Sequence, residues 1–390
     1  MTLTLARAAT TPRAPRPAQP SARHLVHVLP GFGVGGIQIR LARLINALGG
    51  RFRHTILTIN GQDGCRDRLD PALGVAIEAA PVKGGLFSRV DADAQRLASL
   101  RPDLLLTYNW GAIEWAMANR LLAHRRHIHA EDGFGPEEAE RQLRRRIMLR
   151  RWALRRAETL IVPSRTLESI AIAQWRLPPE RVRYVPNSID ADDFAATAAG
   201  APLFARAADE IVIGTVAPLR PEKNLARLIR AFARIPAGAP LRLVLAGDGP
   251  ERPALEALAR SQNLSKRVLF LGPVREPQRA LALFDIFALS SDTEQMPMTV
   301  LEAMAMGLPI ASVDVGDVKL MVAPGNRAFV TSRGDEAALA SALAALALDE
   351  TRRRDLGRLN RAQVRMNFPW QRMVDTYARL YETGLRQERV

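Results

Sequence analysis

Short apolar runs alternate with segments of helical periodicity along nearly the whole 390-residue chain, in two successive series. The first series predicts strands at His24–Leu29, His54–Ile59, Val75–Ala79, Asp103–Tyr108, His127–His129, Thr159–Val162 and Val182–Val185. The second predicts them at Ile211–Ala217, Leu241–Ala246, Arg267–Leu271, Ile286–Leu289 and Pro309–Val315. Strands separated by helices pair in parallel through crossovers, with helices on the sheet faces. A small, turn-prone stretch from Asp192 to Pro202 divides the series. The pattern predicts an α/β protein with two Rossmann-like domains, whose parallel sheets face an interdomain cleft. The expected division is a basic tail over 1–22, a first domain over 23–190, a linker over 191–207 and a second domain over 208–368. A last helix is expected over 369–390.

With 47% hydrophobic residues the chain has material for two cores. Its one cysteine, Cys65, leaves no internal disulfide framework and points to a reducing compartment. No apolar run reaches the ~18 residues that a membrane span requires. The first twenty residues lack the apolar segment of a secretion signal, so a cytoplasmic location is expected.

The formal charge of +15 is carried by arginine, because only Lys83, Lys223, Lys266 and Lys319 are lysines. Arg141 to Arg156 holds eight arginines and no acid. Helical spacing places Leu143, Ile147 and Leu154 on one side of this run, giving an amphipathic basic helix. Such a helix is either a solvated outer face over a packed stripe, or a surface drawn to an anionic membrane. No aromatic interleaving or recognition motif accompanies the charge, which argues against a nucleic-acid partner.

The chemistry concentrates where strands end. After the first strand comes Pro30-Gly-Phe-Gly-Val-Gly-Gly36, whose glycines allow close approach of a ligand at a helix N-terminus. The series Gly31, Gly33, Gly35, Gly36 does not match the G-x-G-x-x-G dinucleotide fingerprint, and a plain tight turn fits it equally well. After Ile211–Ala217, Arg220 and Lys223 flank Pro221 at a predicted helix start, where the helix dipole disfavours cations. A planar fork and a compact ammonium there suit the oxygens of a diphosphate. Gly247-Asp-Gly249-Pro250 and Leu271-Gly272 are glycine turns after two further strands. Glu294 and Glu302 bracket Pro297 at the start of another predicted helix. On one continuous helix they would lie about 12 Å apart. That exceeds the ~5–9.5 Å of a glycosidase carboxylate pair. Two acceptors at different depths instead suit hydroxyls on two parts of one extended ligand.

Arg220-x-x-Lys223, Gly247-x-Gly249-Pro250, Leu271-Gly272 and the Glu294/Glu302 pair, in this order, resemble glycosyltransferase family 4. With the Gly35-Gly36 loop the resemblance covers roughly residues 24 to 385. This is a large GT-B group of retaining enzymes that use nucleotide-activated sugars. The resemblance implies that Arg220 and Lys223 bind the donor diphosphate and stabilise it as it leaves. Glu302 would accept from the ribose. Glu294 would hold the donor sugar, beside backbone groups of the loop carrying Met296 and Met298. Gly35, Gly36, Gly249 and Gly272 would border the donor. His129 would stand at the sugar end of the cleft, although an ordinary strand histidine fits equally well. Asn109 and Asp132 are candidates for the acceptor side. The last helix would cross back onto the first domain. One departure is Gly316-Asp-Val-Lys-Leu-Met321, where the family commonly has a glycine-rich turn followed by a glutamate.

The resemblance further implies a nucleotide sugar as donor and a saccharide or lipid-linked acceptor, without a metal or other cofactor. A location at the inner membrane face through the basic helix follows as an expectation. Two other readings stay open at this point: a sugar-nucleotide epimerase on the same scaffold, and a non-catalytic basic protein that binds membrane or nucleic acid.

Overall fold

The computed structural model describes residues 22–80, 85–138, 141–236 and 240–386. The expected basic tail, apart from residue 22, lies outside the described residues, as do Lys83 and the last four positions. The first series folds as β1 (Arg23–Leu29), α1 (Gly36–Leu48), β2 (Phe52–Thr58), β3 (Ala76–Ala79), α2 (Leu86–Leu100) and β4 (Leu104–Tyr108). It continues with α3 (Ile113–Ala118), β5 (His127–Ala130), α4 (Arg144–Leu154), β6 (Thr159–Val162), α5 (Arg165–Ala173) and β7 (Val182–Tyr184). These strands form one parallel sheet in the order β3-β2-β1-β4-β5-β6-β7. Helices cover both faces, so β1 is buried almost from end to end, its two histidines included.

The second series opens with α6 (Ala191–Ala196), then β8 (Ile211–Val216), α7 (Leu225–Ala233), β9 (Leu241–Ala246), α8 (Arg252–Ser261) and β10 (Val268–Gly272). Next come α9 (Pro277–Leu281), β11 (Ile286–Leu289), α10 (Met298–Ala305), β12 (Ile310–Val313), α11 (Val318–Met321) and β13 (Val330–Thr331). Helices α12 (Glu336–Leu348), α13 (Glu350–Asn367) and α14 (Trp370–Arg386) follow. The second sheet is also parallel, in the order β10-β9-β8-β11-β12-β13. The observed strands lie within two residues of the expected ones at each end. Only β13, two residues long, is absent from the sequence reading, because two residues display no period.

The stretch expected as a turn-prone linker holds a helix instead. Asp190 caps α6 by accepting from the Asp193 N–H at 3.0 Å, and Asp192 and Asp193 suit the positive end of its dipole. Ala191 joins the second core. Helix α14 turns back to the first sheet, where Met373, Val374, Tyr377, Ala378 and Tyr381 pack with Leu25, Ile56, Leu104 and Ile128. Because each sheet is parallel throughout, loops that follow strands gather at one edge and loops that precede them at the other. The loops that follow strands in both sheets line the cleft.

Candidate active site

The larger chamber of the cleft, about 690 Å³, is bounded by Pro30, Gly31, Gly33, Val34, Gly35 and Gln38 after β1, and by Asn60 to Gly64 after β2. Arg220 closes it from the second domain. The two first-domain loops are stitched together: Phe32 N–H donates to the Gln62 carbonyl and Cys65 N–H to that of Phe32, both at 2.8 Å. A side chain at Gly31 would run into Asn60, and one at Gly35 into Gln38. The glycines therefore let this wall come close to whatever fills the chamber. Gly36, expected beside Gly35, is the exposed first residue of α1 and lies outside the chamber wall. Gln38 and the loop carrying Asn60, Gln62, Asp63 and Gly64 are wall residues that the sequence reading did not single out. Their signal, a polar glycine-bearing turn directly after a strand, is the one used elsewhere in the chain.

Arg220 and Lys223 sit in the turn between β8 and α7, not in the helix itself. A 3-10 turn covers Pro221–Lys223, and α7 begins at Leu225 with Asn224 as its cap, in the left-handed region at φ 42°. The cations thus escape the helix dipole that would oppose them inside the first turn. Side chains at Gly247 or Gly249 would strike the backbone of Ala217–Leu219. Gly249 therefore supports the Arg220 turn by close packing, and its N–H is taken by the Asp248 carboxylate at 2.8 Å. Gly272, at φ 82°, accepts from the Gly247 N–H and completes the same support.

Lys223 and Glu294, predicted from separate motifs, meet directly: Nζ lies 2.6 Å from Oε1. Ser291 Oγ donates to the same oxygen at 2.8 Å. The two segments are tied elsewhere too, with Asp292 N–H donating to the Glu222 carbonyl and Ser290 Oγ to that of Lys223. Arg220 makes no side-chain hydrogen bond or ion pair among the described residues and faces the larger chamber. Glu294 borders a second chamber of about 340 Å³, between Phe134, Gln142, Thr166 and Ile170 on one side and Asp292–Gln295 and Asp314–Gly316 on the other.

Met298 opens α10, whose first N–H groups have no partner within the helix. Met296 is buried, and its carbonyl is taken by Asn187 Nδ2 at 2.7 Å, so it fixes the loop. Glu302, one turn into α10, is half-buried, and its carboxylate has no hydrogen bond among the described residues. Burial raises its pKa to about 7, with the Arg43 guanidinium pulling weakly the other way. A carboxylate held short of partners in this way is poised to accept hydroxyl donors.

The first domain corrects three expectations. His129 is fully buried, with Nδ1 2.7 Å from Thr107 Oγ1 and Nε2 3.7 Å from Glu131. It points into the packing between sheet and helices rather than into the cleft. Glu131 in turn meets Arg150, which is fully buried although it belongs to the basic run. Arg150 is paired in fork fashion with Glu138 at 2.9 and 3.1 Å, under the rings of Trp110, Phe134 and Trp175. The inward face of α4 is therefore not the purely apolar stripe that the spacing predicts. Asp132 grips Arg40 through both oxygens, at 2.6 and 2.8 Å, leaving little of its carboxylate for an acceptor. Asn109 takes the Asp132 N–H at 2.7 Å, so it positions that pair. Arg40 also donates to Asn187, which carries the contact across to the Met296 loop. Arg40 and Asn187 were missed because a lone arginine in an apolar helix pattern shows nothing of its partners.

Arg220, Lys223 and Glu294 thus stand on loops that follow strands of the second domain, with Glu302 one turn into α10. Two family models cover most of the chain: one described as "Glycosyl transferases group 1" matches residues 204–363, and "Glycosyl transferase 4-like domain" matches 35–188. The chain belongs to glycosyltransferase family 4. Among curated relatives of this family, N-acetyl-alpha-D-glucosaminyl L-malate synthase of Bacillus anthracis is 29% identical over 180 residues, 46% of this chain and 47% of its own. The chain thus matches about half the length of that relative. The 2-deoxystreptamine N-acetyl-D-glucosaminyltransferase of Streptomyces fradiae is 27% identical over 365 residues, covering 82% of this chain and 84% of the other. Among solved structures, Anabaena HepE in complex with UDP and glucose superposes with a TM-score of 0.77 at 20% identity, covering 92% and 99% of the chains. Sucrose-phosphate synthase from Thermosynechococcus elongatus gives 0.77 at 21% identity, covering 93% and 99%. These likenesses establish the GT-B fold of two facing Rossmann-like domains.

Proposed function

We propose that this family 4 glycosyltransferase moves a sugar from a nucleoside-diphosphate sugar to a hydroxyl of a saccharide or lipid-linked acceptor, retaining the anomeric configuration. The observation that carries the reading is the Lys223–Glu294 ion pair, three residues along the same turn from Arg220, which lines the glycine-walled chamber while Glu294 lines the second one. In the structure the lysine and the glutamate neutralise each other. A donor would replace that pair with two better matched ones, diphosphate on Lys223 and Arg220, sugar hydroxyls on Glu294. Glu302, one turn into α10, would take the ribose hydroxyls. The relatives fit this reading, since one is named for N-acetylglucosaminyl transfer and a structural neighbour holds UDP and glucose.

The chemistry follows from the charges. Two fixed cations stabilise negative charge as it develops on the departing diphosphate. The leaving oxygen can then take the acceptor proton on the same face, so the reading calls for neither a metal nor a strong protein base. The family descriptions name glycosyl transfer, which favours this reading over epimerisation. The proposed acceptor side is the rim between the glycine loops and Asn109. The arginine-rich surface of α4 would hold the protein at an anionic inner membrane face, and nucleic acid is not a proposed partner.

Arg220→Ala and Lys223→Ala tests the reading. Each is expected to cut turnover with the preferred sugar nucleotide by about 10²–10³-fold, at unchanged melting temperature. Near-normal turnover in either purified variant would overturn it. The donor is found first by screening nucleotide sugars for a rise in melting temperature, since a ligand specific to the native state stabilises it.

A further inference from the structure

The departure after β12 has a partner in the other domain. Gly316 turns the chain at φ 54°, with its Cα so close to the loop before α10 that an added Cβ would lie 2.5 Å from the carbonyl oxygens of Glu294 and Gln295. Asp317 follows. Its N–H donates to the Gln295 carbonyl at 2.8 Å, so its backbone belongs to the sugar-side loop. Its carboxylate crosses the cleft and is almost fully buried. There it accepts from the Arg165 N–H at 2.6 Å, the Thr166 N–H at 3.1 Å and the Thr166 hydroxyl at 2.8 Å.

Those two N–H groups open the first turn of α5, in the first domain. The third, on Leu167, goes to Ser164 Oγ at 2.9 Å, and that hydroxyl donates to Gln295 Oε1 at 2.8 Å. The N-terminus of α5 is therefore satisfied jointly by its own serine and by an acid of the opposite domain. A negative charge there is favoured by the helix dipole as well as by the hydrogen bonds.

We propose that Asp317 is a positioning residue: it latches α5 to the donor domain and, through Gln295, sets the place of Glu294 in the closed cleft. Separating the domains must strip three hydrogen bonds from a buried carboxylate and leave the α5 N–H groups without their acceptor. The domain arrangement and the geometry of the sugar-binding loop are thereby one equilibrium. The enzymatic part of this inference rests on the donor reading above; the latch itself does not.

The test uses the full chain. Small-angle scattering of the ligand-free protein should give a larger radius of gyration for Asp317→Ala than for the parent, with the Asp317→Asn variant between them. Donor KM should rise about tenfold in Asp317→Ala, the scale of losing a charged hydrogen-bond acceptor, while kcat changes far less. Thr166→Val, which removes only one donor, should move KM and radius in the same direction by a smaller amount. It also serves if Asp317→Ala does not fold. Unchanged scattering in both Asp317→Ala and Thr166→Val, or in Thr166→Val alone where Asp317→Ala does not fold, would overturn the latch. A changed radius without donor binding in any form, parent included, would instead overturn the donor reading and leave the latch standing.

Discussion

Glu302 shows how a single side chain joins burial to ligand choice. With its pKa raised to about 7 by burial, it is partly protonated near neutral pH. Ribose hydroxyls donate to the ionised form, so binding a sugar nucleotide should release a proton from it. Affinity is then expected to rise with pH up to about 7 by as much as tenfold per unit, and to level off above. Calorimetry in buffers of different ionisation enthalpy measures the proton released, and Glu302→Gln should bind weakly with no pH slope in that range. For the ligand-free fold the sign is opposite: the native state holds the proton over the interval from 4.5 to about 7 that the unfolded chain releases. Stability from this group therefore falls as pH rises through that interval. A flat binding profile in the parent would remove Glu302 from the ribose. Side-chain type and position sufficed to single out Arg220, Lys223, Glu294 and Glu302 as candidates. They did not reveal that Lys223 and Glu294 touch, nor that Asp132 is already occupied by Arg40, because partners 71 and 92 residues away leave no local mark.

At the scale of elements, the first sheet stacks its histidines out of water. His27 Nε2 lies 2.9 Å from His54 Nδ1 and its Nδ1 2.9 Å from the Tyr108 hydroxyl, beneath the edge of Tyr381 from α14. His127 shares Thr107 with His129. Burial holds His27 well below its usual pKa, His54 near 4 and His127 near 3, and neighbouring histidines push the same way. A depressed histidine contributes stability that is present above the unfolded value of 6.5 and is lost as pH falls toward the folded value. Each such ring removes about 1.4 kcal/mol per pH unit across that window. Thermal melts at pH 7.5, 6, 5 and 4 should therefore fall steeply below 6. His54→Phe should be less stable at pH 7.5, by about 1–3 kcal/mol for the partner left on His27, and should lose less on acidification. An equal acid loss in parent and variant would mean that these rings do not govern it. The strands themselves were readable because cover on both faces turns each into a short apolar run. The docking of α14, by contrast, brings together residues more than 240 positions apart in sequence.

For the molecule as a whole, the parallel sheets sort charge by edge. Loops that follow the strands form the cleft, whereas those that precede β5, β6 and β7 carry Arg125, Arg126, Arg155, Arg156 and Arg181. On the same side Arg120 lies over Trp152 at 4.8 Å, and its pKa is lowered by partial burial and by Arg156 and Arg155. Leu121, Leu122, Met148 and Trp152 are exposed around these arginines. An apolar-aromatic patch ringed by cations matches an anionic bilayer surface in both chemistry and charge. Strands β5, β6 and β7, of three or four residues, separate this edge from the cleft, on the order of 10–13 Å. The patch would therefore tether the protein without feeding a membrane-embedded acceptor straight into the site. Sedimentation with vesicles should show binding to anionic but not to zwitterionic lipid, weakening with salt. Replacing Arg155 and Arg156 with serine should weaken it on the order of 30-fold, at about 1 kcal/mol per arginine. Turnover on a water-soluble acceptor should stay at the parent level, because neither residue lies at the cleft edge. Undiminished vesicle binding by the double variant would move the membrane contact elsewhere, and a fall in soluble turnover would mean that the two edges are coupled.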